Sequence, residues 1–260
     1  MFETPSQSAA RIDVIVTFHS EGIVAHRTLL GLERLRLHAE SRGHQVGLIA
    51  VLDCADRETR EIVLDSRLLR SSDQILEVSN GEPGPSRNDG VCASQADYVG
   101  IVDGDDYYSA NWLSEALGVV RSRSGDVIVH PEYQVSFGTV HCIARSLDMD
   151  ESPDYLLANC LTVNPWGVCS FGRRELYLAC PYQALDFRDK GFGYEDWHWN
   201  LEVLAHGIRH VSALGTSHFY RRKPSSALTS QVAAGAVLRP SAFFSSAQAW
   251  WAALRTGSRS

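Results

Sequence analysis

The sequence predicts an α/β protein: a mixed, mostly parallel sheet flanked by helices, forming one domain with a C-terminal helical tail. β-branched runs alternate with helical stretches from residue 12 to about 130, the order that right-handed βαβ units on a parallel sheet produce. The runs end on Thr17, Phe18 and His19, on Asp53, and on Asp103, Gly104, Asp105 and Asp106. Ligands in open α/β sheets bind beyond such carboxyl ends. Finally, no repeat or linker divides the 260 residues, a length that one sizeable core accommodates.

The elements follow in order. Ile12–Phe18 is a β-branched run and reads as a buried strand. Glu21–Arg42 carries Leu29, Leu30, Leu32, Leu35 and Leu37 among charges, a helix with a broad apolar stripe that Gly43 stops. Gln45–Asp53 is a second strand, Arg57–Leu69 a helix, and Gln74–Val78 a third strand. A turn-rich stretch from Ser79 to Pro85 precedes a short helix over Asn88–Gln95. Tyr98–Val102 is a strand, Asn111–Arg121 a helix and Val127–His130 a strand. The pattern then turns mixed. Tyr133–Phe137 and Val140–Ala144 look like strands, Pro153–Cys160 a short helix, Glu195–His206 a longer one, and Ile208–Ala213 another strand. A last helix is expected over Ser241–Leu254. The expected organisation is a tail over 1–10, a domain over 11–228 and a C-terminal tail over 229–260.

Composition narrows the function. A net charge of −7 and a pI near 5.8 argue against nucleic-acid binding, which needs a basic face; Arg221, Arg222 and Lys223 form only a local basic knot. The six cysteines contain no CxxC pair, so a zinc ribbon or thioredoxin-type motif is not expected. Cys142, between Val140 and Ile143, reads as a buried free thiol. The N-terminal residues lack a signal peptide's basic and apolar regions, and no stretch reaches the ~20 apolar residues of a membrane span. A reducing, cytoplasmic compartment is the expectation. Phe243, Phe244, Trp250 and Trp251 are too much apolar area to leave bare. They should pack on the body, on another subunit or on a membrane surface.

Three stretches carry chemistry. Asp103 and Asp105 lie two apart on a strand-to-loop turn, where both can aim oxygens at one Mn²⁺ or Mg²⁺ that also binds phosphates. Gly104 between them permits close backbone approach; an ordinary polar turn is the other reading. Glu195 and Asp196 open a helix, where the dipole favours an ionised carboxylate fit for a general base. Acidic residues are also ordinary helix stabilisers there, and Trp197, in register with Leu201 and Leu204, reads as core. The run from His218 to Lys223 offers Arg221 for a diphosphate and His218 as a metal ligand, or else is a solvated basic turn.

Together and in this order, the segments resemble glycosyltransferase family 2, over roughly residues 11 to 228. Val14–Glu21 is similar to the family's opening strand. Asp53 matches the aspartate that holds the nucleotide base, although Cys54 and Ala55 depart from the usual Gly-Ser. Ser86, Arg87, Asn88, Asp89 and Gly90 match an Ala-Arg-Asn-x-Gly segment, Arg173, Arg174 and Glu175 an Arg-Arg-Glu segment, and Glu195, Asp196 and Trp197 the catalytic Glu-Asp with its tryptophan. The resemblance implies a GT-A-type, Rossmann-like fold, with a nucleotide-binding half over 11–106 and an acceptor and catalytic half over 107–228. It implies an inverting transfer from a nucleoside-diphosphate sugar, with UDP as the expected nucleotide, to a hydroxyl of a glycan or lipid-linked acceptor. Asp196 would be the base beside Glu195. Asp103, Asp105 and His218 would hold the metal. Thr17, Phe18, His19, Glu21, Asp53, Arg87, Asn88, Asp103, Gly104, Asp105 and Arg221 would line the donor. A nucleotidyltransferase of similar fold is the nearest alternative, but it would want a Gly-rich basic loop where Phe18–Gly22 stands. Neither GxGxxG nor GxxxxGK[ST] occurs, which sets aside dinucleotide and P-loop enzymes. An inactive carbohydrate-binding homologue is the non-enzymatic alternative.

Overall fold

A computed structural model describes residues 9–151, 160 and 162–245. In chain order these form β1 (Arg11–Phe18), α1 (Ile23–Ser41), β2 (Gln45–Asp53), α2 (Arg57–Leu64), β3 (Gln74–Val78), α3 (Pro83–Ala93), β4 (Tyr98–Asp103), β5 (Tyr107–Tyr108), α4 (Trp112–Ser122), β6 (Val127–Gly138), β7 (Cys142–Arg145) and β8 (Ser170–Arg173). There follow α5 (Arg174–Ala179), β9 (Phe192–Gly193), α6 (Glu195–Ala205), β10 (Arg209–Arg222), α7 (Ala227–Ala233) and β11 (Val237–Leu238). The main sheet runs β3-β2-β1-β4-β8-β6-β10-β5, with β7 beside β6. β3, β2, β1 and β4 are parallel; β8 is antiparallel to both of its neighbours.

Strand β1 shows why the centre of the sheet reads as an unbroken apolar run. Val14 and Val16 face a core shared with Leu29, Leu32 and Leu35 of α1 and Leu113 and Leu117 of α4. Ile15, between them, faces the opposite core with Ile49, Val91, Tyr177 and Trp199. Period-two alternation thus supplies both faces.

Differences from the expected elements have local causes. Helix α3 begins at Pro83, not Asn88, because prolines are tolerated in a first turn, whose N–H groups need no helical partner. Helix α2 stops at Leu64, and Leu68 and Leu69 pack on the core beyond it. The two strands expected on either side of Pro131 are one, β6. Pro131 sits where the ladder to β10 shifts register after Ala213, beyond the β8 pairing at Val129 and before the β7 pairing at Tyr133. A missing donor is tolerated at such an irregularity. Strand β10 continues past Ala213 to Arg222, and β5, β8, α5, α7, β9 and β11 had no clear signal.

The domain boundary expected at residue 228 falls inside α7. Beyond it, Gln231 accepts a hydrogen bond from the Tyr194 amide at 2.9 Å and β11 pairs with β9. Cys142 is exposed, not buried, since β7 lies at a sheet edge. The helix expected at Pro153–Cys160 lies, save Cys160, outside the described residues. Of the last expected helix, Ser241 is not helical, residues 242–245 are, and the remainder lies outside the described residues. Phe243 is buried with Cys160, Trp166 and Leu201, and Phe244 packs against that cluster; Trp250 and Trp251 lie outside the described residues. Among the described residues no helix is long and apolar enough to cross a membrane.

Candidate active site

The site forms where β1, β2 and β4 end. Thr17 lies opposite Asp103 in register and its hydroxyl is 3.5 Å from Asp103 Oδ1. The next residue must be small. Gly104 donates to the Thr17 carbonyl at 3.0 Å, and a Cβ there would stand 2.4 Å from Phe18 Cδ1 and 2.6 Å from the Thr17 oxygen. Backbone cannot step aside, so Gly104→Ala should cost roughly 1–3 kcal/mol of stability by overpacking and displace Asp103 and Asp105. A urea melt checks this, and an unchanged midpoint would refute it. Phe18 itself is core, 1% exposed; it shapes the site from beneath.

Neighbouring expected donor residues hold one another. The His19 ring Nδ1 lies 2.7 Å from the Asp53 carbonyl, and the His19 amide donates to Glu21 Oε2 at 2.6 Å. Asp53 Oδ1 accepts the Asn80 and Gly81 amides, both at 2.9 Å, fixing the turn before α3. Burial lifts the Glu21 carboxyl to about 6, with Asp105 nearby adding to the rise.

Arg87 joins the two acidic motifs. Its side chain is 2% exposed, with one guanidinium nitrogen 3.0 Å from Asp103 Oδ1 and the other 2.9 Å from Glu195 Oε1. The guanidinium also lies over the Tyr182 ring, 5.4 Å from its centroid. Asn88 points elsewhere. Its amide donates to the Tyr182 carbonyl at 2.8 Å and accepts the Tyr182 amide at 2.9 Å, so it clamps the loop under Arg87.

On the other side Asp105 Oδ2 takes Lys223 Nζ at 2.7 Å, with Arg221 at 4.0 Å. Asp106 is fully buried. It accepts from His218 Nε2 at 2.7 Å and from the Arg221 amide at 2.8 Å, tying β10 to the loop after β4. Burial raises its carboxyl to about 6 against the pull of His218. His218 is stacked on Tyr108 with centroids 5.1 Å apart. With Nε2 held by Asp106, only Nδ1 of its ring remains for a metal.

Helix α6 is entered through Tyr194, whose φ of 63° is left-handed, a costly conformation for a side-chain residue. The turn presents Glu195 to Arg87 and leaves Asp196 half-buried. Asp196 Oδ2 accepts from Asn164 Nδ2 at 2.8 Å, and Oδ1 from the Trp197 amide at 2.8 Å. Burial and then the neighbouring Glu195 carboxylate raise its carboxyl to about 7, with Arg87 opposing. That is the range in which a carboxylate both ionises and accepts protons effectively. Trp197, expected as core, is half-buried: it packs against the cluster of Cys160, Trp166 and Leu201 and donates to the Cys160 carbonyl at 2.9 Å.

The donor chemistry of Asp103, Asp105 and nearby Glu21 fits a hard divalent cation. Among the described residues no three His, Cys, Asp or Glu groups already close on one point, so an ion here would share its coordination with phosphate oxygens. Lys223, Asn164 and Asn200 had no distinguishing signal among the motifs, apart from Lys223 in its basic run. His130 and Glu132 are held elsewhere: His130 is buried against His210 and the Cys169 carbonyl, both at 2.8 Å, and Glu132 binds Arg145 and the Gly215 amide.

The family model for Glycosyl transferase family 2 matches residues 13–178. No curated protein matches the chain. Among solved structures, S. aureus TarS residues 1–349 in complex with UDP-GlcNAc aligns with a TM-score of 0.64 at 16% identity, over 85% of this chain and 61% of that one. Mannosyltransferase PcManGT from Pyrobaculum calidifontis, in complex with GDP-Man and Mn²⁺, aligns with a TM-score of 0.60 at 13% identity, over 86% and 60%. This chain therefore spans about six-tenths of the length of those structures.

Proposed function

Since the chain belongs to glycosyl transferase family 2 and has the GT-A fold, we propose that it transfers a glycosyl group from a nucleoside-diphosphate sugar to an acceptor hydroxyl, with inversion. The observation that carries this reading is Arg87, which sets Asp103 and the Glu195–Asp196 pair on either side of one buried guanidinium. A leaving-group site and a proton acceptor are thereby adjacent. UDP is the proposed nucleotide and a glycan or lipid-linked hydroxyl the proposed acceptor.

Asp196 takes the acceptor proton as the acceptor oxygen attacks the anomeric carbon on the face opposite the diphosphate. Glu195 and Arg87 hold the base in place, and Arg221 and Lys223 are placed to meet phosphate oxygens. Asp103 and Asp105 would hold Mn²⁺ or Mg²⁺, which when bound offsets charge on a departing diphosphate.

UDP should raise the melting temperature in the presence of Mn²⁺, with a stabilisation of about 2.7 kcal/mol at ~100 times its dissociation constant. The shift should vanish in excess EDTA. Asp103→Asn should weaken this metal-dependent binding, and higher Mn²⁺ should partly restore it. Equal stabilisation in EDTA would remove the metal; a stronger shift with GDP would change the nucleotide; no shift with either would overturn the donor reading.

A further inference from the structure

We propose that Asn164 and Asn200 are positioning residues for Asp196, forming a directed amide chain that fixes its carboxylate and holds an N–H on it. The proposal rests on the reading of Asp196 as the base. It starts from a question of direction, because either amide could in principle be turned over. Asn200 Nδ2 lies 3.2 Å from the Gly167 carbonyl and 3.0 Å from Asn164 Oδ1. A carbonyl only accepts, so the Asn200 NH₂ group must face Gly167, and its other hydrogen goes to Asn164 Oδ1. The Asn164 NH₂ must then face Asp196 Oδ2, 2.8 Å away. The Gly167 carbonyl thus sets the polarity of the chain, the Trp166 amide 3.5 Å from Asn164 Oδ1 agrees with it, and that polarity delivers a donor to Asp196.

Asn200 is anchored for this task. It is 1% exposed, in the turn of α6 after Asp196, and its own carbonyl is 3.2 Å from His210 Nε2 on β10. Asn164 stands on a partly exposed loop, where its Oδ1 is held by Asn200 at 3.0 Å and, at 3.5 Å, by the Trp166 amide. The Trp197 amide occupies Oδ1 of Asp196 and Asn164 occupies Oδ2. Two donors on two oxygens define the plane of the carboxylate. They leave further lone pairs for the acceptor hydroxyl, so they orient the base without blocking it.

A donor on a carboxylate favours the ionised form. The other groups acting on Asp196 are Glu195 on its own helix, Arg87 from α3, Asp103 from β4, Tyr182 from the loop after α5 and Tyr220 from β10. Asn164 acts with Arg87 against the burial that keeps Asp196 protonated. It extends the pH range in which the base is available.

The test is the pH dependence of turnover, together with direct titration of the Asp196 carboxyl by carbon NMR, in the wild type, Asn164→Ala and Asn200→Ala. Asn164 is partly exposed, so its alanine variant should fold; a melting curve verifies this. The Asp196 midpoint should rise by roughly one pH unit in Asn164→Ala, with the acid limb of kcat moving equally and donor affinity unchanged. Asn200→Ala should move it in the same direction by less. A midpoint that stays in place while only the melting temperature falls would overturn the proposal and leave both residues structural. A carboxyl midpoint that rises while turnover ignores it would uphold the positioning but overturn Asp196 as the base.

Discussion

Asp196→Asn should lower turnover by on the order of 10²–10⁴, the usual contribution of a positioned acid or base, while donor affinity stays near that of the wild type. Asparagine keeps the shape, but its single carbonyl oxygen can accept from only one of Asn164 and the Trp197 amide, and it cannot take up the acceptor proton. The stability change separates this from a helix-stabilising role. The folded protein holds the Asp196 proton up to about 7, against an ordinary aspartate value of 3.8. Between those values the folded state binds more protons than the unfolded state, so this group's contribution to stability falls as pH rises, and the loss is complete above about 7. Asp196→Asn should therefore be at least as stable as the wild type at pH 8. An aspartate that merely stabilised the helix start would instead give a loss of about 0.3–1 kcal/mol on substitution, with activity retained. Single-turnover rates and urea melts at pH 8 distinguish the two. In the wild type, turnover should rise with pH through about 7.

Arg87→Met should have the largest effect on stability. It leaves the Asp103 and Glu195 carboxylates facing a buried apolar side chain, and breaking a buried ion pair from one side costs about 3–5 kcal/mol. Their side chains are 26% and 15% exposed, so water softens the loss towards the lower figure. Asp196 should become harder to ionise, because Arg87 is the main group holding its carboxyl down, and the acid limb should move to higher pH. Arg87→Lys keeps the charge but not the fork, and should fall between the two. A melting midpoint equal to the wild type's in Arg87→Met would show that the two carboxylates do not depend on this cation.

How far the sequence could be read depended on distance along the chain. Strands β1 to β4 were legible because each encodes its own periodicity, and Asp103, Asp105 and Asp196 because each lies in a short local pattern. Arg87 was legible as part of a motif, but not as a bridge, since Glu195 lies 108 positions away and no local pattern announces such a partner. Phe18 and Asn88 belong to the same motifs yet face the core and the Tyr182 loop, which depends on tertiary packing. Asn164 and Asn200 are ordinary asparagines until the chain brings Gly167 beside them. The start of helix α3 looks like a turn in the sequence because its prolines occupy the first turn, where a missing N–H costs no helical bond. Strand β6 was split because Pro131 breaks most ladders, and only the bulge in β10 shows why it does not here.

The contact between Arg87 and Glu195 also constrains the order in which the molecule is made. During synthesis the first four strands leave the ribosome well before residue 195. Until then Arg87 has Asp103, 16 positions away, but lacks its second carboxylate. Closing the remaining contact requires a long loop to be ordered, which makes it a late event with a slow intrinsic rate. The contact of Glu195 with Arg87 should therefore form after β1 to β4 have collapsed. A chain halted before α6 would lack Glu195 and Asp196, and also His218 and Arg221 of β10 and Lys223 after it.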